Sequence, residues 1–188
     1  LVRRLQNTGG PETEFPGGAA GISIQGNVTN PTVEGNLVRD IGQEVTNFGF
    51  GIVVRGTDNP TDETPTGVTI RNNGVRNVLS DPESPTVGVG VGLEAGGAED
   101  VTFFSNGIEN ATFLLEDKTA TIDLRSFAND NQLNRGALLE NGDFEGVPGG
   151  APTRNVIFDS IQLAVDFAPD VPTEITEPPA EVSTEDSD

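Results

Sequence analysis

The feature that most constrains this chain is that it repeats one pattern several times. GVTIRNNGVRNVL at 67–79 has counterparts in NPTVEGNLVRDI around Asn36 and EDVTFFSNGIENA around Asn106. Each runs from a short alternating strand through a polar corner into a second short strand. LVRRL at 1–5 matches LVRDI at 37–41, so the chain is expected to open within a repeat. Leu1 to Leu37 is 36 residues, Leu37 to Gly74 is 37, and Gly74 to Gly107 is 33. Insertions confined to corners account for the differences.

A third strand type alternates with these: GISIQG at 21–26, GIVVRG at 51–56 and GVGVGLEA at 88–95. In the first, Ile22 and Ile24 point one way while Ser23 and Gln25 point the other. Short strands without helical periodicity predict an all-β chain, a β-solenoid with irregular loop insertions. Its turns would stack through parallel strands about 4.8 Å apart. Val33, Ile70 and Phe103 should then be core neighbours. Ile22, Val54 and Leu93 should be neighbours within one sheet, and Phe103 and Phe158 should point inward. Residues 6–20, 57–66 and 80–86 read as loops.

The pattern weakens after Phe113. TATIDLR (119–125) and GALLENG (136–142) both resemble the third strand type, but Ile122 to Leu139 is 17 residues, short for a turn. One of the two is expected to be an insertion or hairpin. NVIFDSIQLAV (155–165) resembles the polar-corner segment, with Asp159 in the Asn position. Residues 168–188 carry four prolines and seven acids and no base. The expected organisation is therefore stacked turns over 1–167 and an acidic tail or linker over 168–188.

Composition narrows the chemistry. There are 30 acidic and 10 basic residues, a net charge of −20, with Lys118 the one lysine. Nucleic acid and anionic membranes are poor partners for such a body. No run of about 18 apolar residues predicts membrane insertion. The chain has no Cys, His, Met, Trp or Tyr. Disulfides and thiolate metal sites are excluded, and the commonest general base is missing. Strong acidity with almost no lysine resembles proteins of salt-loving archaea.

The alternation of G-[IV]-x-[IV] strands with strands ending in Asn resembles the right-handed parallel β-helix repeat of pectate lyases and many surface proteins. The resemblance covers about residues 1–113 and implies an asparagine ladder at Asn36, Asn73 and Asn106. Such amides stack at a tight corner where Asn tolerates a left-handed backbone. It also implies an outward column of Gln25, Arg55, Glu94 and Glu140, with Asp123 as a rival member. Outward acids and arginines in that family bind calcium and act on uronic acids. Glu94, Asp123 and Glu140 are thus candidate metal ligands, and their hard oxygens favour calcium over zinc. The plainer reading is a wet acidic face. GVGVGLEAGG lacks a following helix for a phosphate site, and small-residue packing between turns explains it better. Asn27 and Asn110 head glycosylation sequons.

The expectation is an extracellular or cell-surface module with a structural, assembly or glycan-contact role. Its partners would be a polysaccharide or surface-layer glycan, and upstream turns or a partner chain at its N-terminal end. The alternative is a polysaccharide lyase or hydrolase with its catalytic turns mostly outside this segment. A spacer presenting another domain is a third option. The lack of His, Tyr and Trp favours the non-enzyme readings.

Overall fold

The computed structural model describes residues 2–3, 19–42, 49–55, 64–78, 88–94, 100–133, 137–143 and 153–160. The chain is predominantly β, and its strands fall into three sheets. Each repeat places one strand in each sheet, beside its counterpart from the previous repeat. One sheet joins β1 (Val2–Arg3), β4 (Leu37–Ile41), β7 (Gly74–Val78), β10 (Gly107–Ala111) and β12 (Gln132–Leu133), all parallel. A second joins β3 (Thr32–Glu34), β6 (Thr69–Arg71) and β9 (Thr102–Phe104), also parallel. The third runs β13 (Ala137–Asp143), β14 (Thr153–Phe158), β11 (Phe113–Asp117), β8 (Gly88–Leu93), β5 (Gly49–Arg55) and β2 (Ala19–Gln25). Its members β2, β5, β8 and β11 are parallel. This arrangement is compatible with a β-solenoid.

Inward side chains line up from turn to turn. Val33, Ile70 and Phe103 are paired in register. Ile24, Val54 and Leu93 form a second core column, so Ile24 takes the place expected of Ile22. Ile22 pairs instead with Ile52, which pairs with Val91. A two-residue shift along a strand keeps the same face, which is why the inward assignment holds while the neighbour changes.

The glycines of the third strand type let two sheets approach. A Cβ at Gly21 would lie 2.3 Å from Val38 Cγ1, and one at Gly51 2.3 Å from Val75 Cγ1. At Gly90 it would lie 2.6 Å from Ile108 Cγ2. Each glycine thus seats an apolar side chain of the facing strand β4, β7 or β10, leaving no room for a methyl group.

Every turn bends at three equivalent positions with left-handed backbone. Asn30, Gly67 and Asp100 (φ 52, 62 and 57) precede the short strands β3, β6 and β9. Gly35, Asn72 and Ser105 (φ 68, 54 and 56) follow those strands. Asp40, Asn77 and Asn110 (φ 59, 52 and 53) lie near the ends of β4, β7 and β10. Eight of these nine sites hold Gly, Asn or Asp, the residues that bear this conformation at least cost. The left-handed residue at the second corner is the one before the ladder asparagine, not the asparagine itself as the sequence suggested.

The last turn departs from the pattern. TATIDLR is not a strand. Asp123 caps the helix α1 (Leu124–Asp130), its carboxylate accepting from Ser126 N at 2.8 Å. This Asp and the following LRSFAN segment carry an N-cap and an apolar i, i+3 pair, Leu124 and Phe127, which are the buried residues of α1. Phe127 packs edge-on to Phe103 with ring centroids 5.3 Å apart, so α1 continues the Val33–Ile70–Phe103 column. GALLENG is a strand, within β13, and pairs antiparallel with β14, which itself runs antiparallel to β11. NVIF therefore does not re-enter the repeat, and Asp159 is not a ladder residue. Phe158 is fully buried, but on the opposite face from the core cluster, edge-on to Phe113 at 5.0 Å. The tail at 168–188 and the loop at 6–18 lie outside the described residues.

Candidate functional site

The expected outward column is built from β2, β5 and β8, and the structure assembles only its first three members. Gln25 pairs with Arg55, and Glu94 follows directly after the Val54–Leu93 pair. The next turn supplies Lys118, not an acid. Its Nζ lies 3.1 Å from Glu94 Oε1 and 3.9 Å from Glu116 Oε2. The Lys118 and Glu116 side chains are only 7% and 3% exposed, so this trio is a sheltered ion-pair group where charges hold one another. Glu140 sits on β13, separated from β8 by β11 and β14, and does not join the row. Asp123 is engaged as the helix cap, which holds its carboxyl below the usual aspartate range, first through the Ser126 amide. Glu94, Asp123 and Glu140 are therefore not brought together. Among the described residues no three acids are gathered to hold a metal ion.

The same outer face carries an apolar layer that sequence reasoning missed. Phe50, Val53, Val89, Phe113, Val156 and Phe158 are all buried, apart from the main core. Gly92 makes room for it, since a Cβ there would lie 2.9 Å from Phe50 Cε1. Arg55 lies over the Phe50 ring at 5.4 Å. It has no carboxylate partner among the described residues, and its buried Nε makes no hydrogen bond. Its position beside Glu94 and Gln25 makes a short polar row of an amide, a cation on an aromatic platform and a carboxylate.

Two files of side-chain hydrogen bonds run through the turns. The first contains Asn36, Asn73 and Asn106. The backbone N and Nδ2 of Asn36 both donate to Asn73 Oδ1, at 3.0 and 3.2 Å. Asn73 donates in the same way to Asn106, at 3.1 and 3.0 Å. The file continues to Asn131, which takes two bonds from Asn106 at 3.1 and 2.8 Å and caps α1 by donating to Phe127 O at 2.8 Å. Asn131 was not expected. Its local signal is the triplet Asn131-Gln132-Leu133, which mirrors Asn36-Leu37-Val38 and Asn106-Gly107-Ile108. The second file lies at the third corner. Asn110 Nδ2 donates to Asn77 Oδ1 at 2.6 Å, and Asn77 Nδ2 donates to Asp40 Oδ1 at 2.9 Å.

A third link crosses the outer face of the short-strand sheet. Arg71 joins Glu34 at 2.8 Å and lies over Phe104 at 5.8 Å, and Asn72 also donates to Glu34. The Arg71 and Asn72 donors hold the Glu34 carboxyl below the usual glutamate range. The sequons divide on the same grounds. Asn110 is exposed, but its amide nitrogen is engaged with Asn77. Asn27 is exposed at a turn. Among the described residues no helix is long and apolar enough to cross a membrane. Compared with known proteins, the chain matches no family model, no curated protein and no solved structure.

Proposed function

We propose that this chain is a right-handed parallel β-helix module of the pectate-lyase-like type that works outside the cell or on its surface. Its role is structural, with glycan contact along one outer row. The observation that carries this reading is the use of the polar side chains. Three separate links, two amide files and the Glu34–Arg71 pair, join one turn to the next at equivalent positions. Polar groups arranged this way resist sliding and fraying between turns, as a load-bearing or presenting element requires.

The contact row is Gln25, Arg55 and Glu94. An arginine resting on Phe50 presents its outer edge to hydroxyl or carboxylate oxygens. Binding to immobilised acidic and neutral polysaccharides tests this reading. Retention that drops on Arg55→Gln while the melting temperature holds supports it. Absence of retention on every glycan, or cleavage of a polyuronate with release of unsaturated ends, would replace it by the spacer or the lyase reading. The haloarchaeal character is tested separately. A net charge of −20 predicts melting temperatures that climb from about 0.1 M salt towards molar salt, where the screening length falls to about 3 Å.

A further inference from the structure

Both hydrogen-bond files have a direction, and both end at the N-terminal side of the stack on an acceptor. In the first file every Oδ1 that lies between two turns receives two donors from the preceding turn, its backbone N–H and its side-chain amide. Asn73, Asn106 and Asn131 are all served in this way. Asn36 Oδ1 accepts no hydrogen bond among the described residues. In the second file the amides donate towards the N-terminal side, from Asn110 to Asn77 to Asp40, and the file stops at a carboxylate. The strands β2 and β3 have a partner on one side only among the described residues, β5 and β6 respectively.

We propose that this face is an interaction surface for one more parallel turn of the same repeat, with an asparagine seated over Asn36. The required chemistry follows from the acceptors: a backbone N–H and a carboxamide directed at Asn36 Oδ1, and a donor directed at Asp40. The pairing of Val2 with Val38 fixes the place. The residue that faces Asn36 is the one immediately ahead of Leu1.

A second copy of the chain does not meet these requirements. Two such faces brought together would set Asn36 Oδ1 and Asp40 against their own equivalents, acceptor against acceptor. The opposite end of a second copy is closed by α1 and by the antiparallel β13 and β14. Its ladder terminates at Asn131, a residue already committed to capping a helix. The proposal rests on the reading of the repeats as stacked turns, and it is independent of glycan contact.

The test places a copy of residues 1–36 ahead of Leu1 in the full chain, which sets the copy's asparagine directly over Asn36. A matched protein carries leucine in place of that one asparagine. Melting temperature and sedimentation are measured for the original chain and both extended proteins. The extension with asparagine should melt about 5 °C higher than the original, given that about 1 kcal/mol moves a domain of this size by 2–4 °C. The leucine version should lose at least half of that gain, and all three proteins should sediment as monomers. An extension that leaves the melting temperature unchanged, or one equally effective with leucine, overturns the proposal. So does dimerisation of the original chain that the extension abolishes, which would assign the face to a second copy.

Discussion

The two ends of the stack solve the same problem differently. At the C-terminal end the repeat is stopped by substitution. The helix α1 takes the place of a fourth short strand under Phe103, and Asn131 closes the amide file while capping that helix. The core column Ile24–Val54–Leu93 finishes on Asp117, whose carboxylate is fully buried. It receives Thr119 N, Thr121 N and Ile122 N at 2.9, 2.8 and 2.7 Å. The antiparallel β13 and β14 then continue the sheet in a direction no further repeat can follow. At the N-terminal end the same columns stop on side chains of ordinary repeat type, Val33, Ile24 and Asn36. A repeat array is closed when its last unit stops offering what the next unit would bind. By that measure one end is closed and the other is not.

The largest expected effect separates the interior of the file from its end. Asn106→Ala removes two acceptor bonds to Asn73 and the donors to Asn131 and Ile70 O, all in a fully buried setting. It should cost about 2–4 kcal/mol, because buried groups left without partners carry the full desolvation penalty. Asn36→Ala should cost less than about 1 kcal/mol, since its side chain stands at the open end. Denaturant melts of the two variants check the ratio, and near-equal losses would remove the distinction between the ends.

Gly51→Ala comes next and strikes the middle of the stack, so it serves as the reference for both ends. The added methyl would meet Val75 Cγ1 at 2.3 Å and Gly90 O at 2.5 Å. Overpacking of this kind should cost about 1–3 kcal/mol, read from the same melts. Asp123→Ala acts on the closed end alone. Loss of the helix cap should cost about 1 kcal/mol and raise proteolysis near α1, without touching the turns around Asn36.

The smallest effect belongs to the open end. Glu34 is held below its ordinary value of 4.5 by bonds from Arg71 and Asn72. A depressed folded-state pKa means a stabilising contribution that is present above the ordinary value and disappears as pH falls through the lowered one. A shallow loss of stability should appear in that acidic window and be absent in Glu34→Gln. The carboxylate is fully exposed, so solvent screening keeps the effect small. Equal pH profiles for the two proteins would mean that this link does not hold the first turns together.

The sequence showed the repeats because each turn must reproduce the same inward positions and the same corners. Asn36, Asn73 and Asn106 were legible from the recurring period, and Val33, Ile70 and Phe103 from alternation. What escaped lies where the last turn breaks the period. Asn131 follows Asn106 by only 25 residues, because a helix spans the distance that strand and loop cover elsewhere. Asp123 looked like a column acid because TIDLR alternates for a few residues, yet the same letters spell a helix cap. Glu140 matched by local pattern, and strand direction, which no short pattern encodes, put it elsewhere. The Lys118 group was missed for a similar reason. Its members come from different turns, and their meeting depends on register across strands rather than spacing along the chain.

Residue-resolved amide exchange tests the central claim most directly. If the amide file binds turn to turn and stays open at one end, the backbone amides of Asn73 and Asn106 exchange only through global unfolding. Asn36 also donates through its backbone, but it sits in the terminal turn and should exchange through local opening at clearly lower free energy. Asn36 protected as strongly as Asn106, or Asn106 exchanging as readily as Asn36, would contradict the account.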